Sequence, residues 1–206
     1  MIAANAGREF VLTTTLLFVV VTIVRWHVPL TVAGLLAAVL IAGLMSSPLG
    51  RRSGGHMHPG VSVFLWLTGK FPGAAVLPYV LAQLAGSVTG AALARLAWGS
   101  AVDRVGYGAV HSGLGTVPLF LAESLPLVVI LAVVATWQRF VPAVIGIGVG
   151  VTTALTGASI NPARQFGPAL LAGPTADLWI YLAAPVLAPL LLALIVRAWR
   201  RTSPGV

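Results

Sequence analysis

The sequence predicts an all-α membrane protein: six transmembrane helices plus two re-entrant half-helices, arranged as an inverted repeat. Three observations carry that prediction. Of 206 residues, 58% are hydrophobic and only 8% charged, whereas soluble domains hold roughly a quarter charged residues. Six apolar segments are long enough to cross a bilayer core of about 30 Å at about 1.5 Å per residue. Two shorter apolar runs, each opening on Pro, occupy corresponding places in the two halves of the chain.

The six segments fall near 8–26, 30–47, 74–98, 117–138, 141–157 and 178–198. The first carries an acid near its start and lacks a convincing cleavage site, so it reads as a retained helix. Pro59–Thr68 lies between the second and third segments, and Pro162–Leu171 between the fifth and sixth. As helices these runs cover only about 15 Å, half a bilayer. Pro suits their first turn, where its missing N–H has no helical partner anyway.

The chain also repeats itself. "REFVLTTTLLFVV" (Arg8–Val20) and "AESLPLVVILAVV" (Ala122–Val134) each open a segment with a carboxylate, Glu9 or Glu123. Each is followed by two further segments and one half-helix. An odd number of crossings per repeat turns the second repeat over in the membrane. The expected domain is therefore a single unit over 1–206, with inverted repeats of about 1–98 and 117–206. Such repeats place a polar site at the midplane, where the half-helix N-termini meet. Irregular backbone at Ser53–His58 and Gly157–Ile160 is tolerated at that depth only where it lines a cavity.

Charge sets orientation. With the N-terminus in the cytoplasm, eight of the twelve cations lie inside: Arg8, Arg51, Arg52, Lys70, Arg139, Arg197, Arg200 and Arg201. Arg25, Arg95, Arg104 and Arg164 lie outside, so both termini are expected in the cytoplasm. The net charge of +8 thus marks topology, and no nucleic-acid partner is expected. With no cysteine in the chain, disulfides and thiolate metal sites are excluded. His56 and His58 form His-x-His, but a metal needs three or four ligands; His27 and His111 lie in outer loops, and no metal or cofactor is expected.

"SGGHMHPGVSV" (Ser53–Val63) and "TGASINPARQF" (Thr156–Phe166) resemble the two Asn-Pro-Ala boxes of the aquaporin, or major intrinsic protein, family. The first box is degenerate and the second intact. "YVLAQLAG" (Tyr79–Gly86) and "YLAAPVLAPL" (Tyr181–Leu190) fall in the expected order, so the resemblance covers nearly the whole chain. It implies a homotetramer in the plasma membrane, each subunit a passive channel for water or small uncharged, glycerol-like solutes. It implies a pore midplane of His58, Pro59 and Gly60 with Asn161, Pro162 and Ala163. Carbonyls of Gly54, Gly55 and His56, and of Gly157, Ala158 and Ser159, would form the acceptor ladder. Arg164 would mark the outer constriction, joined by Val149, Ala158 and, by counting along the second segment, Ala38. Glu9, Glu123 and Gln83 would hold the half-helices in place rather than move protons. Half-helix dipoles directed at the pore centre repel cations.

Substrate markers conflict. Small apolar side chains around Arg164 predict a wider constriction than a strict water filter. Gln165 stands where glycerol-conducting members carry Asp, while Leu182 stands where water-type members carry an aromatic. His58 is the informative departure: a neutral imidazole has one N–H, which would let it orient a permeating molecule as Asn does. Desolvation and two half-helix N-termini disfavour an imidazolium there. Slowing of the pore in acid is one reading, and a donor without a regulatory role the other. A proton-coupled transporter would share the repeats and the carboxylates, and a non-conducting structural protein would share the fold. With four acids and no nucleophile–base pair, an enzyme is not expected.

Overall fold

The computed structural model of the chain describes residues 1–136, 140–173 and 176–202, with side chains as far as Trp199. Arg139 and the side chains of Arg200 and Arg201, counted above among the inner cations, lie outside the described residues. The first half comprises α1 (Ile2–Arg25), α2 (Leu30–Ser46), α3 (Pro48–Ser53), α4 (Pro59–Leu67) and α5 (Val76–Trp98). A short α6 (Ser100–Arg104) and a turn at Gly106–Gly108 lead to the second half: α7 (Thr116–Thr136), α8 (Val141–Thr156), α9 (Pro162–Ala172) and α10 (Leu178–Thr202).

Four of these helices, α1, α5, α7 and α10, are long and apolar enough to cross a bilayer. The other two expected segments, 30–47 and 141–157, are α2 and α8, which end within one residue of those limits and have 17 and 16 residues. That is roughly 25 Å of helix, short of the core thickness. Each then runs on into the chain that leads to a half-helix. After α2, Ser47 stops the helix and its hydroxyl accepts from Gly50 N at 3.1 Å, starting α3. Ser53, expected in irregular backbone, is the last residue of α3, and Arg51 and Arg52 are exposed on that helix. The half-helices α4 and α9 end within one residue of their expected limits. At the other end of the chain's first helix, α1 begins six residues before the expected start.

Packing repeats between the halves. Helix α1 packs on α5 and α7 on α10; half-helix α4 packs on α10 and α9 on α5; α2 and α8 pack on each other. Small residues let backbones approach closely, the association mode available where lipid removes the hydrophobic drive. A Cβ on Gly90 would meet Thr14 O at 2.3 Å, and one on Gly34 would meet Gly150 O at 2.3 Å. Outward-facing Leu35, Val39, Leu81, Leu96, Val129, Ile147, Leu155 and Ile195 are all exposed. Such a surface suits acyl chains rather than water. The protein is a multi-pass membrane protein.

Candidate pore and its two half-helix boxes

Each half-helix is entered through a short stretch of turned backbone fixed by one buried carboxylate. Glu9 Oε1 accepts from Ser53 Oγ at 2.7 Å and from His56 N at 3.0 Å. Its Oε2 accepts from Met57 N at 2.7 Å and Gln83 Nε2 at 3.0 Å. In the second half, Glu123 accepts from Ser159 N at 2.8 Å and Ile160 N at 2.5 Å. Met57 and Ile160, the residues just before the boxes, hold φ of 47° and 44°. A left-handed backbone at such residues costs of order 1–3 kcal/mol. The hydrogen bonds that these glutamate side chains accept offset that cost.

The turn aims the Met57 and Ile160 carbonyls at the opposite box. Asn161 Nδ2 donates to Met57 O at 3.0 Å, and His58 Nε2 lies 2.7 Å from Ile160 O. On its other side His58 Nδ1 accepts from Val61 N at 3.4 Å, while Asn161 Oδ1 accepts from Ala163 N at 2.9 Å. A carbonyl only accepts and a backbone N–H only donates, so this is a neutral imidazole with its proton on Nε2. That single N–H is already engaged by Ile160 O. The expectation that His58 orients a permeating molecule as Asn would is therefore corrected: the ring has no donor left. The Asn161 amide keeps its second N–H, which has no protein partner among the described residues.

Gly60 also differs from its counterpart, Ala163, for a reason the sequence did not show. A Cβ at Gly60 would sit 1.9 Å from Pro185 O and 3.1 Å from His58 Cε1. The tighter limit is the α10 backbone, and room for the imidazole comes second. Ala163 is fully buried without such a clash, and its carbonyl accepts from the Ser87 hydroxyl.

One cavity of about 130 Å³ runs past both boxes. Its wall includes Met45 and Gly55 at one end and Ala33 and Val24 at the other. Along α2, Ala33 to Met45 is about 18 Å of helix. The wall is mostly aliphatic, and its polar members include His58, Asn161, Thr153 and Arg164. Val149 and Ala158 stand in it with Arg164, as do Gly55, His56, Gly157 and Ser159. Two assignments are corrected. Ala38 is not on the wall: it packs on α8, its Cβ 2.8 Å from where a Cβ on Gly150 would lie, and Ala37 lines the cavity instead. Gly54 is not on the wall either; it caps α3 with φ 97° and its N–H donates to Gly50 O. Met57 lines the cavity in its place.

Arg164 Nη1 donates to Gly108 O at 2.7 Å. The neighbouring Gln165 is fully buried and pairs its amide with the Val110 backbone: Val110 N donates to Oε1, and Nε2 donates to Val110 O, both at 2.9 Å. Gln165, read above as a substrate marker, holds the loop that leads into α7. The two histidines of His-x-His diverge. His56 Nδ1 lies 2.9 Å from Ser62 Oγ and its ring packs edge-on against Phe71 at 4.7 Å. The sequence reading missed Met57, Ile160 and Gly108. The first two were legible only as the residues just before each box, and Gly108 carried no signal.

Residues 3–196 match the Major intrinsic protein family. The chain belongs to that family. It is 36% identical to a probable aquaporin of Archaeoglobus fulgidus over 81% of this chain and 73% of that protein. It is 33% identical to an aquaporin of Arabidopsis thaliana over 88% of this chain and 63% of that one. It is 36% identical to nodulin-26 of Glycine max over 71% of this chain and 58% of that one. The chain thus spans between about half and three quarters of its curated relatives' lengths. An aquaglyceroporin of Plasmodium falciparum shares its fold, with a TM-score of 0.81 at 16% identity over 95% of both chains. Major intrinsic proteins are membrane channels, not enzymes.

Proposed function

We propose that the chain is a passive channel for water and small uncharged solutes of the glycerol type. In this reading 1–206 forms one channel domain whose halves, about 1–98 and 117–206, are inverted in the membrane. Four copies assemble in the plasma membrane, with both termini cytoplasmic. The observation that carries the reading is a single cavity passing both half-helix N-termini, with aliphatic walls and few polar groups. Such a wall offers nothing to replace the hydration of an ion, and so suits small uncharged solutes. Selectivity rests on Arg164 with Val149, Ala158 and Ala37 at one level, and on the His58–Asn161 pair at the other. Arg164 offers donors and a positive charge that opposes cations. At the midplane Asn161 alone offers a donor, while His58 and the Ile160 carbonyl tie the two half-helices together.

Stopped-flow light scattering on proteoliposomes, with water, glycerol and urea in turn, tests this. Expected is flux above empty vesicles for water and at least one solute, without a pH gradient. Uptake that requires a pH gradient would make the protein a proton-coupled transporter. Flux equal to that of empty vesicles would leave a non-conducting structural protein.

A further inference from the structure

Outside the pore, the segment between α5 and α7 carries an ion pair that the channel reading does not use. Arg95, in the last turn of α5, donates through Nε to Asp103 Oδ1 at 2.7 Å. The Asp103 carboxylate is held below the usual carboxylate range, first by that hydrogen bond from Arg95 and then by one from the Tyr107 hydroxyl. Tyr107 is the centre of a tight turn: Gly106, Tyr107 and Gly108 have φ of 52°, 54° and 74°. Glycine adopts these angles freely, but Tyr does so only when its surroundings hold it. Its ring rests against the Val21, Ala91, Ala94 and Val102 cluster, and α6, which carries Asp103, packs on this turn. The turn packs on α9, and its product is the direction of Gly108 O, the acceptor of Arg164.

We infer that Asp103 and Tyr107 are positioning residues for Arg164, setting its guanidinium against the cavity through the Gly108 carbonyl. The chain of contact runs from Arg95 to Asp103, Tyr107, Gly108 and Arg164. A guanidinium released from Gly108 O keeps only the longer contact of Nη1 with Gln165 Oε1, at 3.4 Å, and can shift across the cavity or away from it. Either movement alters passage of a bulkier solute more than passage of water. The inference rests on the channel reading for its effect on flux, but not for its effect on Arg164 itself.

The ion pair is partly exposed, 41% on each side chain, so the expected effect is modest, about twofold to fivefold. Two measurements on the full chain test it. In proteoliposomes, Asp103→Asn and Tyr107→Phe should each shift the glycerol-to-water permeability ratio by about that factor. In nanodiscs, nitrogen NMR of the arginine-labelled chain reads Arg164 directly, its signal assigned by its loss in Arg164→Lys. Hydrogen exchange at that guanidinium should quicken in Asp103→Asn. If glycerol and water permeabilities fall in proportion while Arg164 exchange stays unchanged, the residues merely stabilise the fold and the inference is wrong. Should the unmodified chain conduct nothing, the channel reading fails, and the Arg164 exchange rate alone decides the positioning role.

Discussion

The two half-helix boxes are built on one plan and finished differently. Both begin at Pro, both follow a left-handed residue anchored to a buried glutamate, and both send a side chain to the opposite carbonyl. Box residues His58 and Asn161 share nearly the same backbone, with ψ of 114° and 115°. What differs is the supply of donors. An amide carries two N–H groups, so Asn161 bridges to Met57 O and still faces the pore with one. A neutral imidazole carries one, which His58 spends on Ile160 O. The lesson is that a substitution at a pore residue conserves the fold when it conserves the bridging bond. It alters transport through whatever the bond leaves over.

The largest effect that would break this comparison lies in the anchors. Glu9 accepts from four groups and Glu123 from two. Each buried donor left without a partner costs about 1–3 kcal/mol. Glu9→Ala should therefore lower the melting temperature more than Glu123→Ala, read by gel filtration of heated, detergent-purified protein. The reverse order would show that donor count does not set the strength of the anchor.

Next in size is the third box position. Gly60→Ala drives a methyl into the Pro185 carbonyl, and overpacking of this kind costs about 1–3 kcal/mol. Ala163→Gly removes a methyl from a helix first turn and should cost less, about 1 kcal/mol. Thermal melts of the two variants should differ in that order. Equal losses would mean that α10 yields to the extra methyl.

The smallest effect bears most directly on transport. His58→Asn restores a second free donor, and one hydrogen bond of about 1 kcal/mol corresponds to roughly a fivefold change. Water permeability should rise by up to that factor, whereas Asn161→His should lower it. Movement of both variants in one direction would overturn the donor count. The histidine box is also the one that titrates. A second proton must go to Nδ1, the atom that accepts from Val61 N, and it places a charge on the wall of the cavity that Arg164 also lines. Flux through the unmodified chain should therefore fall as the pH drops from about 7 to about 4, and His58→Asn should not show this fall. His56, Glu9 and Glu123 remain in that variant, so a persisting fall would trace to them.

Much of the site was legible before any coordinates. Glu9 and Glu123 stood out because carboxylates inside apolar segments need partners, and the repeated helix openings told where to look for them. Asn161 and Arg164 came with an intact motif. Ala38 was misplaced because counting along a uniform Leu-Ala-Val helix gives no anchor for rotation about its axis, and the contact with α8 at Gly150 sets that rotation.

By itself the sequence determined the membrane class, the inverted repeat, the half-helices and the identity of the box residues. The membrane class and the half-helices follow from composition, run length and the position of Pro; the repeat follows from comparing the two halves, and the box residues from the family resemblance. Tertiary structure alone decided what each box side chain has left to offer. The free donor of Asn161, the engaged one of His58 and the clash that keeps Gly60 a glycine depend on groups about a hundred residues away. Hydrogen-bond supply is a balance struck between partners, and one strand of residues names only half of each pair.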